Sequence, residues 1–410
     1  MSLLSTLQKT QGHISVLSAN TLDVTRELTT HSLDVSQDVN VNGSVNVVNN
    51  LTCQGTLAIT GAASAPSFLS LHQFAGFPTN TADTTSLIDI TGPTKYSGGV
   101  LARNGLIYAI PSSSTSVLII DPVANTTDTS TITSLPSGDF KWEGGVLAPN
   151  GKIYCIPRDS ESVLIIDPAT NTADVTTITG LTGVAKWWGG VLAPNGKIYG
   201  IPLNSESVLI IDPATDTADT DTITGLVGSV KWAGGVLALN GRIYCMPLNS
   251  DSVLIINPVT NTYSSIAGLP AGGLKWAGGV LAPNGNIYGI SFSSASVLIV
   301  NPTAGTTDTT TITGFPLNGF NWYGGVLAQN GSIYAIPHNN TNVLVIDPAT
   351  NSFTTSTITG LIGIQKWSGG VLAPNGIIYG LPYASTSVLQ IKTGLPTLPA
   401  WMLQSYFNKL

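Results

Sequence analysis

Lysine and an aromatic residue stand side by side six times along this chain: Lys95-Tyr96, Lys141-Trp142, Lys186-Trp187, Lys231-Trp232, Lys275-Trp276 and Lys366-Trp367. Each pair is followed, one residue later, by Gly-Gly, and a further copy reads Asn321-Trp322. Ammonium groups recurring at one structural position would sum on one face and hold an anion. Lys141, Lys186, Lys231, Lys275 and Lys366 are therefore candidate ligand contacts. The competing reading wedges the aromatic rings between elements and lays the lysine stems over them. Arg158, His338 and Tyr383 are further candidates, because they sit in short segments that vary while the stretches around them repeat.

Catalysis finds little to use. His13, His31, His72 and His338 occupy unrelated positions, so no nucleophile, base and acid fall into a shared pattern, and we expect no catalytic residues and no enzyme. Asp121, Asp167, Asp212 and Asp347, replaced by Asn257 and Asn301 in two copies, precede proline, where a side-chain turn explains them better than a metal does. Cys155 and Cys245 share one repeat position and read as small core residues, and the three cysteines show no zinc spacing. Neither a metal nor a cofactor is expected.

The elements that must position these residues follow from the repeat. Gly-Gly-Val-Leu-Ala begins at Gly98, Gly144, Gly189, Gly234, Gly278, Gly324 and Gly369, in steps of 46, 45, 45, 44, 46 and 45 residues. That period, filled with short apolar runs and turns, is the range of four-stranded propeller blades. In the second copy strand a is 144–148, strand b is 152–156, strand c is 162–166 and strand d is 174–179, with Asn150-Gly151 as a tight hairpin turn between a and b. The seventh copy lacks a d strand. Asn80-Thr81-Ala82-Asp83 matches Asn171-Thr172-Ala173-Asp174, so residues 83–91 are expected to complete blade seven and close the ring. The a–b and c–d connections are uniform and lie on one face; the b–c and d–a connections vary and lie on the other.

The expected fold is all-β: a seven-bladed β-propeller of four-stranded blades closed by an N-terminal strand, preceded by an extended fibrous β stalk. Residues 1–66 are read as the stalk and anchor, 67–395 as the head, and 396–410 as a docking tail that begins as a short amphipathic helix. Apolar residues at Leu33, Val35, Val39, Val41, Val45, Val47, Leu51, Leu57 and Ile59 alternate with polar ones, and three such chains wound together would bury that stripe. A flexible arm is the alternative. With 42% hydrophobic and 9% charged residues and a net charge of −7, the chain is no general phosphate-backbone binder. No apolar run approaches the ~20 residues of a membrane span, and no export signal is visible, so we expect a protein that enters neither nucleic acid nor membrane complexes.

The unit Lys-Trp-x-Gly-Gly-Val-Leu-Ala-Pro-Asn-Gly-x-Ile-Tyr, as it stands at 141–154, resembles repeat proteins of large DNA viruses of protists and algae. The resemblance spans about 80–410, and Trp401 to Leu410 is similar to the C-terminal ends of those proteins. Residues 33–60 resemble stalk segments of phage and viral tail fibres. Together these imply a virion surface fibre: a homotrimer through its stalk, bound at the N-terminus to a capsid or other virion protein, with heads that meet a host-surface glycan or protein. The resemblance brings no catalytic residues. The alternative is an interaction scaffold built on the propeller in the cytoplasm of an infected cell.

Overall fold

A computed structural model describes residues 80–317 and 319–393 throughout, and seven strands within residues 17–64. Residues 1–78 and 79–410 form two compact units. In the first, the strands lie in two parallel sheets, with Glu27–Val35 pairing Ser44–Cys53 in one and Leu22–Val24, Val39–Val41 and Leu57–Ile59 making the other. The tail expected at 396–410 lies outside the described residues.

The second unit is a seven-bladed propeller. Blade two is typical: Trp142–Leu147, Ile153–Pro157, Leu164–Asp167 and Thr172–Asp174 pair antiparallel in that order, giving strands a to d from the axis outward. The Asn-Gly turn sets the first hairpin, since Gly151 has φ +86° and Asn150 Oδ1 accepts the Lys152 amide at 3.0 Å. The same asparagine ties blades together. Its Nδ2 donates to Tyr154 OH at 2.9 Å and to the Pro213 carbonyl of blade three at 3.0 Å, and the Tyr154 hydroxyl donates to Asp216. Asn375 closes this lattice from blade seven onto the Pro122 carbonyl of blade one at 3.0 Å.

Both residues of the Gly-Gly pair are required, for different reasons. Gly144 lies on the axis at φ +73°, and a Cβ there would stand 3.2 Å from Gly189 Cα of the next blade. Gly145 faces the preceding blade, where a Cβ would stand 2.6 Å from Ile110 Cδ1. The apolar cores accordingly lie between blades. Trp142 packs with Tyr108, Ile110, Ile153 and Leu164 across the first interface, and its Nε1 donates to the Ser162 carbonyl at 2.8 Å, so the buried indole N–H is paired.

Ring closure occurs through Thr81–Asp83, which pairs with Gln390–Lys392 as strand d of blade seven. The strand lies earlier in the chain than the expected 83–91, and strand d of blade two likewise occupies 172–174 rather than 174–179. A carboxylate is the cause. Asp174 Oδ1 accepts from the Thr176 amide at 2.6 Å and hydroxyl at 2.7 Å, and Oδ2 accepts from the Thr177 hydroxyl, so the threonine run winds around the aspartate and leaves the ladder. Asp83 does the same with Thr85 and Ser86, after which Leu87 and Ile90 enter the core between blades seven and one.

Candidate ligand site on the propeller axis

Seven glycines, Gly98 through Gly369, meet around the axis, each with its Cα beside that of the next. On the variable face this ring is roofed by side chains from three positions of every blade. The axial position, between the aromatic residue and Gly-Gly, holds Ser97, Glu143, Trp188, Ala233, Ala277, Tyr323 and Ser368 in turn. The residue after strand b holds Ser112, Arg158, Leu203, Leu248, Phe292, His338 and Tyr383. The residue before each lysine, or before Asn321 in blade six, is Thr94, Phe140, Ala185, Val230, Leu274, Phe320 and Gln365 in turn.

This third position is strained in all seven blades, with φ between 41° and 56° and never a glycine. A left-handed conformation costs a side-chain-bearing residue about 1–2 kcal/mol. The b–c loops hold it in place: Asp159 accepts the Ala185 amide at 2.5 Å, and Asn204, Asn249 and Asn339 accept those of Val230, Leu274 and Gln365, each at 2.7 Å.

Side chains break the seven-fold symmetry of the backbone. Blades three to five supply an apolar half, in which Leu203, Leu248 and Phe292 cover Ala233 and Ala277. Blades six, seven, one and two supply a polar half containing Tyr323, His338, Tyr383, Ser97, Ser112, Glu143 and Arg158. Trp188 spans the axis and donates through Nε1 to the Tyr323 hydroxyl, above an apolar cavity of about 120 Å3 whose floor is the glycine ring. Aromatic contacts continue from Tyr323 to His338 at 5.8 Å and from His338 to Tyr383 at 5.5 Å between ring centroids.

The polar half is chemically loaded. Glu143 is 3% exposed, and burial raises its carboxyl pKa, opposed by the nearby Arg158 guanidinium and the Ser97 hydroxyl. Arg158 stacks 4.3 Å from the Phe140 ring centroid and 5.5 Å from that of Trp188. Glu143 Oε2, Arg158 Nε and Ser112 Oγ are enclosed without a hydrogen-bond partner, each a cost of about 1–3 kcal/mol. Burial lowers the His338 pKa to about 4, so the ring is neutral, and its Nδ1 donates to the Trp367 carbonyl at 3.0 Å. Burial also raises Tyr323 and Tyr383, with Glu143 adding to both shifts.

Of the eight residues singled out in the sequence, Arg158, His338 and Tyr383 converge here. The five lysines do not present their charges. All are buried, and each ammonium is caged by backbone carbonyls; Lys231 donates to Leu203 and Ser205 of one loop at 3.0 Å each and to Gly228 of another at 2.8 Å. Burial lowers Lys141, Lys186, Lys231 and Lys366 to about 8, which leaves them charged at neutral pH and in need of those carbonyls. They cross-tie the d–a loops to the b–c loops of the preceding blade. The expected ring of ligand-facing charge is corrected accordingly: Lys141, Lys186, Lys231, Lys275 and Lys366 point inward because their stems lie along the tryptophans, 5.5–5.9 Å from nitrogen to ring centroid. The sequence reading missed Glu143, Trp188 and Tyr323. Their signal was the single variable letter between two constant ones.

A repeat of unknown function (DUF6923) matches residues 73–266, which end with strand d of blade four. No curated protein matches the chain. Among solved structures, a streptogramin B lyase is similar at 12% identity and TM-score 0.61, over 76% of this chain and 97% of its own. Virginiamycin B lyase from Staphylococcus aureus is similar at 12% identity and TM-score 0.62, over 76% and 99%. The extracellular domain of a one component system of B. thetaiotaomicron is similar at 12% identity and TM-score 0.57, over 78% of this chain and 43% of that one. These likenesses show the fold alone. They correct the expectation of no enzyme in its premise: lyases stand among the structural neighbours, so a propeller without a recognisable triad is no ground for excluding catalysis. Acid and base groups that sequence spacing kept apart, Glu143, Tyr323, His338 and Tyr383, are gathered at the axis by the ring.

Proposed function

We propose that the propeller is a recognition head whose variable face takes a host-surface glycan or protein at the axis, and that the chain serves as a virion surface attachment fibre. The observation that carries the reading is the asymmetry just described. A backbone repeated seven times presents a different side chain at nearly every axial, loop and rim position, at one end only. The strand order agrees with it: Thr81 pairs with Lys392, so strand d of blade seven begins, and its strand c ends, on the uniform face. The repeat at 141–154 and the stalk-like strands before residue 64 support display on a particle, as a trimer anchored by its N-terminus.

A second reading, a scaffold for a protein partner, is favoured by apolar tips on the d–a loops. Val184, Val227, Leu317, Ile362 and Ile364 are 66–83% exposed on the variable face, and Ile362 and Ile364 line an open groove of about 360 Å3. A glycan array probed with the full chain, with Trp188→Ala, and with Val259→Ser on the uniform face tests the leading reading. Loss of glycan signal with Trp188→Ala alone is expected; signal indifferent to Trp188 overturns axial recognition. Detection of the chain in purified particles separates the fibre from the scaffold.

A further inference from the structure

The polar groups of the axial cluster are unevenly spread. Three enclosed, unpartnered atoms, Glu143 Oε2, Arg158 Nε and Ser112 Oγ, belong to the adjoining edges of blades one and two. The ion pairs among the described residues lie elsewhere, at Lys152 with Asp216 and Lys197 with Asp212, both on the opposite face. Glu143 and Arg158 thus sense each other's charge without touching. Around them stand the half-buried rings of Phe140, Trp188, Tyr323 and Tyr383.

A group that completes this corner must accept from a guanidinium and donate to a carboxyl within one small footprint. A hydroxyl does both, and two hydroxyls on adjacent carbons do so side by side. The local charges exclude a strong preference for an anion: Asp139, Glu143, Asp159 and Glu161 stand against Lys141, Arg158 and Lys186, and the lysine ammonium groups are already caged by carbonyls. The aromatic wall supplies a surface for an apolar ring face.

Resting on the recognition role above, we propose that this corner binds a neutral pyranose. Adjacent ring hydroxyls accept from the Arg158 guanidinium and donate to the Glu143 carboxyl, while the sugar's C–H face lies on the aromatic wall. Because Glu143 is 3% exposed, binding includes a side-chain shift at Arg158 or Tyr383, the half-buried neighbours that share its field.

Calorimetry on the full chain tests this with methyl glycosides of glucose, galactose and mannose, set against the methyl glycoside of N-acetylneuraminic acid and glucose 6-sulfate. A neutral glycoside is expected to bind, with affinity changing by less than roughly twofold between about 50 and about 500 mM salt. Glu143→Gln and Arg158→Gln should each weaken it by about tenfold or more, and Arg158→Lys should fail to restore it because the planar fork is lost. Should the variants not fold, deoxy analogues of the bound glycoside report on the native protein, with two adjacent positions each costing about tenfold. Preference for the sialoside or sulfate, with affinity falling steeply in salt, overturns the neutral-sugar assignment and leaves axial recognition intact. Binding of no glycoside overturns it as well, and the Trp188 comparison then decides whether the axis recognises anything.

Discussion

Burial holds the His338 imidazole neutral, with its folded pKa at about 4 against an ordinary 6.5. Between those values the unfolded chain takes up a proton that the folded chain refuses, so stability rises with pH across the window and is lost as pH falls from about 6.5 towards 4. The shift corresponds to about 3 kcal/mol. Urea midpoints at pH 7 and pH 4.5 should therefore converge more closely in His338→Gln than in the native chain; an equal fall in both would show that other groups control acid stability. Lys231 gives a second test at this scale. Lys231→Met keeps the stem on Trp232 but orphans the carbonyls of Ser205 and Gly228, while that of Leu203 keeps the Lys231 backbone amide, and should cost about 3 kcal/mol of unfolding free energy. An unchanged midpoint would return the ammonium groups to solvent. Sequence alone does not separate these outcomes, because a lysine beside a tryptophan snorkels outward or caps carbonyls according to loops that vary in length. Arg158 and Tyr383 were legible because they follow strand b, where constancy ends. Glu143 was hidden inside a constant motif.

Among the elements, the closing strand carries the clearest consequence. Thr81–Asp83 supplies strand d of blade seven, Asn80 accepts from Tyr334 OH at 3.0 Å, and Leu87 and Ile90 fill the last interface. Removing residues 1–92 should leave the Leu389–Lys392 edge unpaired and give an aggregating or early-melting protein, whereas removing 1–66 spares every one of these contacts. Identical melting of the two truncations would reject closure by this strand. Blade count, strand order and closure were all readable from period and turn chemistry, since Asn-Gly, Gly-Gly and Asp-Pro each fix a local geometry. The outer strands were placed too late along the chain for one reason: threonine favours strands by propensity, and a single aspartate side chain outcompetes the ladder for its hydrogen bonds.

At the scale of the whole molecule, the proposed trimer predicts sedimentation near three times 42.4 kDa for the full chain and monomers for a chain starting at Ser67; a monomeric full chain at micromolar concentration would leave the arm without a partner. Closure of the ring also determines how this head answers force. Tension drawn through the N-terminal segment first meets the Asn80–Tyr334 hydrogen bond and the pairing of Thr81–Asp83 to Gln390, Ile391 and Lys392. These few hydrogen bonds take the load before the Leu87 and Ile90 contacts that follow them in the chain. The first thing to yield would be the seam of blade seven at the rim, while the glycine hub and the Trp188–Tyr323 bridge stay unloaded. Because the freed strand remains part of the same polypeptide, such yielding lengthens the tether without detaching the head.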